Sequence, residues 1–328
     1  MTQHASRTCR AVIRFPYQLD NGRNMNQTDL HGILAINKPP GVTSRRVVDA
    51  VSRTLSTKAV GHAGTLDPLA RGVVIVCTGH ARKLVDFLHQ QEKAYTVSFL
   101  LGRSSPSDDF ETEVSIEAEP NCLSLQQIEE SLKTQRGTIM QLPCTYSAKK
   151  IAGKRAYKLA RLGKQVVLQP KEIHIHQLEI TAYDWPRLEL SLVCSSGTFV
   201  RALGRDIAKY LGTSAVMETL VRTAVGPYLL DTAVSLADIT PDTRGKRFIE
   251  AALRPPISAL PHLEARTLTP EQIEHAARGG HLSGRANAAT DTVAAVDAYG
   301  VLLGILRVLP QGGWRLRPNF IDTSPHTG

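Results

Sequence analysis

Residues 61–72 read GHAGTLDPLARG, a glycine-punctuated loop that holds one carboxylate, Asp67, directly before Pro68. The six residues that follow, VVIVCT at 73–78, form the unbroken apolar run of a strand buried on both faces. Asp67 is therefore predicted to stand at the mouth of a core strand. Pro68 biases Asp67 away from helical dihedrals, and Gly61, Gly64 and Gly72 permit turns that side chains would forbid, so the carboxylate can be aimed into a cleft. Taken alone, Asp-Pro more often marks a turn than an active site. The functional reading rests on the whole string together with the segments on either side.

Upstream, Gly32 opens a strand through ILAI, and NKPPGVTS turns the chain into a helix with Ser44 as N-cap and Val47, Val48, Val51 and Leu55 on one face. Downstream, Lys93-Ala94-Tyr95 starts a strand in which Tyr95, Val97, Phe99 and Leu101 share a face. A strand tyrosine is most often a core residue with a satisfied hydroxyl. RLELSLVC (187–194) alternates as a second such strand after an Asp184-Trp185-Pro186 turn. SSGTFVRALGRDIAKYLG (195–212) then turns into a helix, with Thr198 as cap, Leu203, Ile207 and Leu211 inward, and Gly212 closing it. Arg201 falls in its first turn, where a cation opposes the helix dipole, so it needs an anionic partner unless it simply reaches water.

Charge narrows the class of partner. The 328 residues carry a formal +9, with a pI near 9.4. The segment 108–130 is acidic and contains a helix with Ser124 and Gln127 as a capping box and Gly137 as its stop. From 131 to 170 there is no Asp or Glu, while nine Lys and Arg, among them Lys149, Lys150, Lys154 and Arg155, are interleaved with Tyr146 and Tyr157. A charge run is usually a solvated face, but one without a compensating acid fits phosphate neutralisation with tyrosines available for stacking. RNA is the expected partner.

Other chemistries find little support. Five scattered cysteines without a CxxC pair read as thiols rather than as a disulfide or zinc framework. His174 and His176 in IHIH share a strand face but lack a third ligand at a recognisable spacing, and read as surface histidines. There is no P-loop, GxSxG or HExxH, and the GxxG at 61–64 lacks the flanking helices of a KH domain. No apolar run reaches the length of a membrane span, so a cytoplasmic protein is expected. Residues 1–30, arginine-containing and without periodicity, read as a flexible tail that is either transit-like or upstream of a start at Met25. Residues 251–328 read as a small module: a proline-rich joint, LRPPISALP, then a helix whose start is marked by Thr269, Pro270 and Gln272 and whose end by Gly279-Gly280, then short strands suited to a compact β-barrel.

From Gly32 onward the chain resembles the bacterial tRNA pseudouridine-55 synthases, the TruB family. The resemblance lies in five ordered motifs: ILAINKPPGVTS, GHAGTLDPLARG, Lys93-Ala94-Tyr95, PCTYSAKKIAGKRAYKLARLG and SSGTFVRALGRD. It implies an α+β fold, a mixed and mainly antiparallel pseudouridine synthase core over 31–250 with an RNA-contacting insertion near 131–171, and a PUA-like β-barrel domain over 251–328. It also implies isomerisation of uridine 55 in the TΨC loop of tRNA, with no cofactor or metal, no guide RNA and a monomeric enzyme. By the same resemblance Asp67 is the catalytic carboxylate, Tyr95 the ring stacked on the flipped base and Arg201 the partner of Asp67. Leu220 lines the pocket, His62 fills the space left by the extruded base, and Lys38 supports the loop. The chain departs from the family pattern at Asn37, where aspartate is usual, and at Ala215-Val216, where Ala-His is common. A non-catalytic RNA-binding relative would not need Asp67, and a guide-dependent relative acting on ribosomal RNA would be expected to carry a lysine-rich tail.

Overall fold

The computed structural model describes residues 30–117, 122–146, 150, 151, 154, 155, 168–284 and 291–321, with backbone only for the four residues between 150 and 155. The predicted tail, Lys149 and the side chains of Lys150, Lys154 and Arg155 lie outside the described residues. Among those residues, no helix is long and apolar enough to cross a membrane.

In chain order the strands are β1 (Gly32–Lys38), β2 (Val60–Ala63), β3 (Arg71–Thr78), β4 (Lys93–Leu101), β5 (Arg103–Ser104), β6 (Ser115–Ile116), β7 (Gly137–Gln141), β8 (Lys150–Ile151) and β9 (Lys154–Arg155). They continue as β10 (Lys171–Asp184), β11 (Arg187–Cys194), β12 (Ala215–Val225), β13 (Tyr228–Leu229), β14 (Val234–Ser235), β15 (Ala265–Thr267), β16 (Thr292–Val296), β17 (Leu302–Val308) and β18 (Trp314–Asn319). The principal sheet runs β14-β1-β3-β12-β4-β11-β10-β7, with β2 also on β3 and β13 also on β12. Its pairs are antiparallel except β1 with β14 and β3 with β12. The fold is thus the mixed, mainly antiparallel α+β arrangement that the motifs imply.

Burial follows the sequence patterns. VVIVCT is buried throughout, whereas RLELSLVC alternates buried and half-buried positions. β3 carries apolar side chains on both faces because both faces are covered. On one face Val74 and Val76 join Val47 and Val51 of the Ser44–Thr54 helix, Leu203 and Ile207 of the Val200–Tyr210 helix, and Ile249 of the Thr243–Ala252 helix. On the other, Val73, Ile75 and Cys77 pack with Leu84, Leu88, Tyr228 and Leu260, and with Ala294, Val296, Leu302 and Ile305 of the C-terminal module. The proline-rich joint lies against the sheet: Arg254 and Ile33 exchange two backbone hydrogen bonds of 2.9 Å.

The C-terminal module differs from the expected barrel. It is an open four-stranded sheet in the order β15-β16-β17-β18. A barrel closes only when its first and last strands pair. Here β15, three residues long, pairs with β16, and the outer side of β18 is met at Trp314 by Leu282. Local signals also shifted by a residue or a few. Thr43, not Ser44, is the N-cap of the first helix, because the Ser44 hydroxyl is turned inward to Leu66. Thr198 does not cap its helix; its hydroxyl donates to the Ser195 carbonyl, and Phe199 is the N-cap residue. The Leu125–Lys133 helix ends at Thr134, before Gly137, while the Ser124–Gln127 capping box forms as read and the helix start read at Thr269 proves to be a second capping box with Gln272.

Candidate active site

The Gly61–Gly72 loop enters the sheet where β3 meets β12 in parallel, Gly72 lying beside Arg222 and Arg71 beside Val221. Gly72 has φ +111°, and a Cβ there would sit 2.3 Å from the Arg222 carbonyl oxygen, so only glycine allows the two strands to approach this closely. The strand after β12 in the sheet is β4, in which Tyr95 lies opposite Arg222 and Val97 opposite Leu220. Sheet register therefore places Asp67's loop, Leu220 and Tyr95 around one point, although Asp67 and Leu220 are far apart in the chain.

Arg201 completes the cluster. Its Nη2 is 3.1 Å from Asp67 Oδ2 and its Nη1 is 3.1 Å from Asp109 Oδ2. It also donates to the carbonyls of Ser107 and Tyr146, each at 2.9 Å. The Arg201 side chain is 6 % exposed and that of Asp109 3 %, whereas Asp67 is 37 % exposed and reaches the surface of the cleft. Burial acts to lower the Arg201 pKa, yet Asp67, Cys144, Asp109 and Asp108 outweigh it and the net shift is upward. The guanidinium stays charged, and these carboxylates answer the unfavourable dipole at its helix start. The turn before Arg201 is fixed by Gln141, whose side chain accepts from Phe199 N–H and donates to Phe199 C=O.

The loop backbone is gripped at several points. Lys38 is fully buried and its Nζ donates to the carbonyls of Pro39 (3.0 Å), Pro68 (3.3 Å) and Ala70 (2.5 Å). The Ser44 hydroxyl donates to Leu66 C=O and accepts from Leu66 N–H. Arg222 donates to the carbonyls of Val73 (2.6 Å), Thr65 (3.2 Å) and Gly64 (3.3 Å). Tyr95 is half-buried against the core, and burial raises its pKa, so its hydroxyl stays neutral. Leu220 is 7 % exposed. His62 lies on β2 at the head of the loop, opposite Val76.

Burial pushes the Lys38 pKa down to about 8, with Asp67 opposing and Arg222 reinforcing the shift. Between pH 8 and its unfolded value near 10.5 the unfolded chain binds more protons at this position, so the Lys38 contribution to stability rises with pH across that window. Lys38→Met is expected to lose about 1–3 kcal/mol at neutral pH by stranding loop carbonyls. Denaturant titrations should show the wild-type advantage over the variant growing between pH 8 and 10.5; a shrinking advantage would contradict this placement of the amine.

Sequence reasoning missed Asp109, Arg222, Ser44's inward role and Gln141. A signal existed for Arg222, the one basic residue inside the mainly apolar β12 run. His174 and His176 have ring centroids 4.5 Å apart. His174 Nδ1 is 2.9 Å from Thr138 Oγ1, and His176 Nε2 is 3.2 Å from Glu92 Oε1. No group of three or more metal-ligating side chains occurs among the described residues.

Several known proteins are similar to this chain. Residues 52–200 match the TruB family pseudouridylate synthase N-terminal domain. The tRNA pseudouridine synthase B of Parabacteroides distasonis is 45% identical over 213 residues, covering 63% of this chain and 91% of that protein. The protein of the same name from Dehalococcoides mccartyi is 34% identical over 296 residues, covering 90% of this chain and 98% of its own. In three dimensions the chain resembles an H/ACA RNP bound to a substrate RNA containing 2′-deoxyuridine, with a TM-score of 0.67 and 20% identity over 91% of this chain and 86% of that one, a likeness of fold. With relatives this similar along most of its length, the chain belongs to the TruB family of pseudouridine synthases and is an isomerase.

Proposed function

We propose that this protein isomerises uridine 55 in the TΨC loop of tRNA to pseudouridine, with Asp67 as the catalytic carboxylate. The observation that carries the reading is a partly exposed carboxylate at the mouth of a core strand, ion-paired to a buried arginine. The reaction breaks the C1′–N1 bond, turns the base and rejoins it through C5. It needs a carboxylate as nucleophile or base, an aromatic face for the detached base and exclusion of water. Asp67 supplies the first and Tyr95 the second. Leu220 lines the pocket, and His62 occupies the gap left in the RNA when the uridine is extruded, a step that costs a few kcal/mol.

The enzyme works as a monomer in the cytoplasm, without cofactor, metal or guide RNA, through a catalytic domain over 31–250 and a C-terminal RNA-binding module over 251–328. Incubating the protein alone with an unmodified tRNA transcript should convert U55. Conversion only in the presence of a second RNA, or at another position, would overturn the reading.

The acid-free insertion supplies phosphate contacts that offset the cost of extrusion. Replacing Lys149, Lys150 and Lys154 with alanine is expected to weaken tRNA binding and to flatten the plot of log K against log salt by about 0.7–0.9 for each phosphate left without its cation. Single-turnover chemistry at saturating enzyme should be retained. An unchanged salt slope would remove these residues from the interface.

A further inference from the structure

Four buried cations surround the proposed pocket: Lys38, Lys93, Arg201 and Arg222, the last only 2 % exposed. Arg201 is ion-paired to both Asp67 and Asp109. The other three have no carboxylate within ion-pairing distance among the described residues. They are bonded to main-chain carbonyls instead: Lys38 and Arg222 to the loop, and Lys93 to His89 and Gln91. Burying a charge without a counter-charge is expensive. Arg222 and Lys93 also flank Tyr95, the first opposite it across β4 and β12, the second two residues away on the same face of β4. Two buried cations without a carboxylate partner thus stand beside Tyr95, and Arg222 is close enough to hydrogen-bond with its side chain.

The chemistry of the bond that breaks gives this charge a use. Cleavage of C1′–N1 leaves the electron pair on N1, so the base departs as a uracil monoanion. Asp67 balances the sugar side, either by bonding to C1′ or by taking the C2′ proton. C5 then bonds to C1′ as the Asp67–C1′ bond breaks or as Asp67 returns the proton to C2′; the C5 proton is lost and N1 takes up a proton. Both routes pass through the same anion. Fixed cations in a water-poor pocket stabilise such an anion without reorganising when it forms.

We infer that Arg222, assisted by Lys93, presets a positive potential beside Tyr95 that is matched to an anionic pyrimidine. Arg222 is a positioning residue in this role, acting through the field it imposes; its bonds to the loop carbonyls hold it in place. The inference rests on the proposed isomerisation, and its test separates the two.

The test uses the full chain and T-arm RNA tritiated at C5 of the target base, carrying either uridine or 6-azauridine, whose base is the more acidic leaving group. Wild type should release tritium from both; no release from uridine would sink the isomerisation itself. Arg222→Gln should slow single-turnover release from uridine by about 30-fold or more with RNA affinity within about twofold, while the deficit on 6-azauridine shrinks to about fivefold or less. Arg222→Lys, which keeps the charge but loses the fork, should recover most of the rate. An equal loss on both substrates, or no recovery by lysine, would mean that Arg222 merely holds the loop and would overturn the inference. Should Arg222→Gln fail to fold, Lys93→Met, which leaves every catalytic-loop bond in place, must show the same substrate-dependent deficit for the inference to stand.

Discussion

Asp67→Asn is expected to cut pseudouridine formation by at least about 10³-fold while leaving the protein folded. An amide is neither a nucleophile toward the ribose carbon nor a base for its neighbouring proton, so both routes stop. The structure separates this chemical effect from a structural one. The Asp67 side chain is 37 % exposed, and its partner Arg201 keeps Asp109 and two carbonyls when Asp67 is neutralised. A partly exposed ion pair is worth about 1 kcal/mol or less, so the unfolding midpoint should scarcely move. Quenched single-turnover reactions on a tRNA transcript, alongside a thermal melt, make the measurement. Activity within tenfold of wild type would remove Asp67 from the chemistry.

Arg201→Met should damage both stability and turnover. The methionine leaves Asp109 buried with its counter-charge gone, frees Asp67 to move, and strands the carbonyls of Ser107 and Tyr146. Removing one partner of a buried ionic cluster costs about 3–5 kcal/mol, or roughly 10 °C in melting temperature for a chain of this size. Arg201→Lys should rescue little, since one ammonium cannot reproduce a fork that spans two carboxylates and two carbonyls. The double variant Arg201→Met/Asp109→Asn provides the discriminating comparison. Neutralising the stranded acid should return about 1 kcal/mol or more of stability, yet activity should stay low because Asp67 has still lost its anchor. Recovery of turnover with stability would mean that Arg201 serves the fold alone.

Much of this was legible in the sequence because it is written in short-range terms. The switch from the glycine-rich loop to VVIVCT marks β3, alternation marks β4 and β11, and the Ser124 and Thr269 capping boxes mark two helix starts. Arg201's need for an anion was legible from the dipole argument, although which anions meet it was not. Asp109 sits in a stretch that reads only as acidic, and the pairing of that stretch with Arg201 of the Val200–Tyr210 helix is what buries it. Arg222 acquires its role through the parallel contact of β12 with β3, strands far apart in the chain. The barrel expected from short C-terminal strands failed for a related reason: strand length and turn chemistry announce strands, but closure depends on pairing between the first and last, which leaves no local trace.

The core that Val73, Ile75 and Cys77 share with Ala294, Val296, Leu302 and Ile305 has a consequence for the architecture as a whole. The strand that follows the Asp67 loop is upholstered at its back by the C-terminal module, so β3 and that module move as one piece. A load on the C-terminal module would be felt, through those methyl groups, at the root of the Asp67 loop.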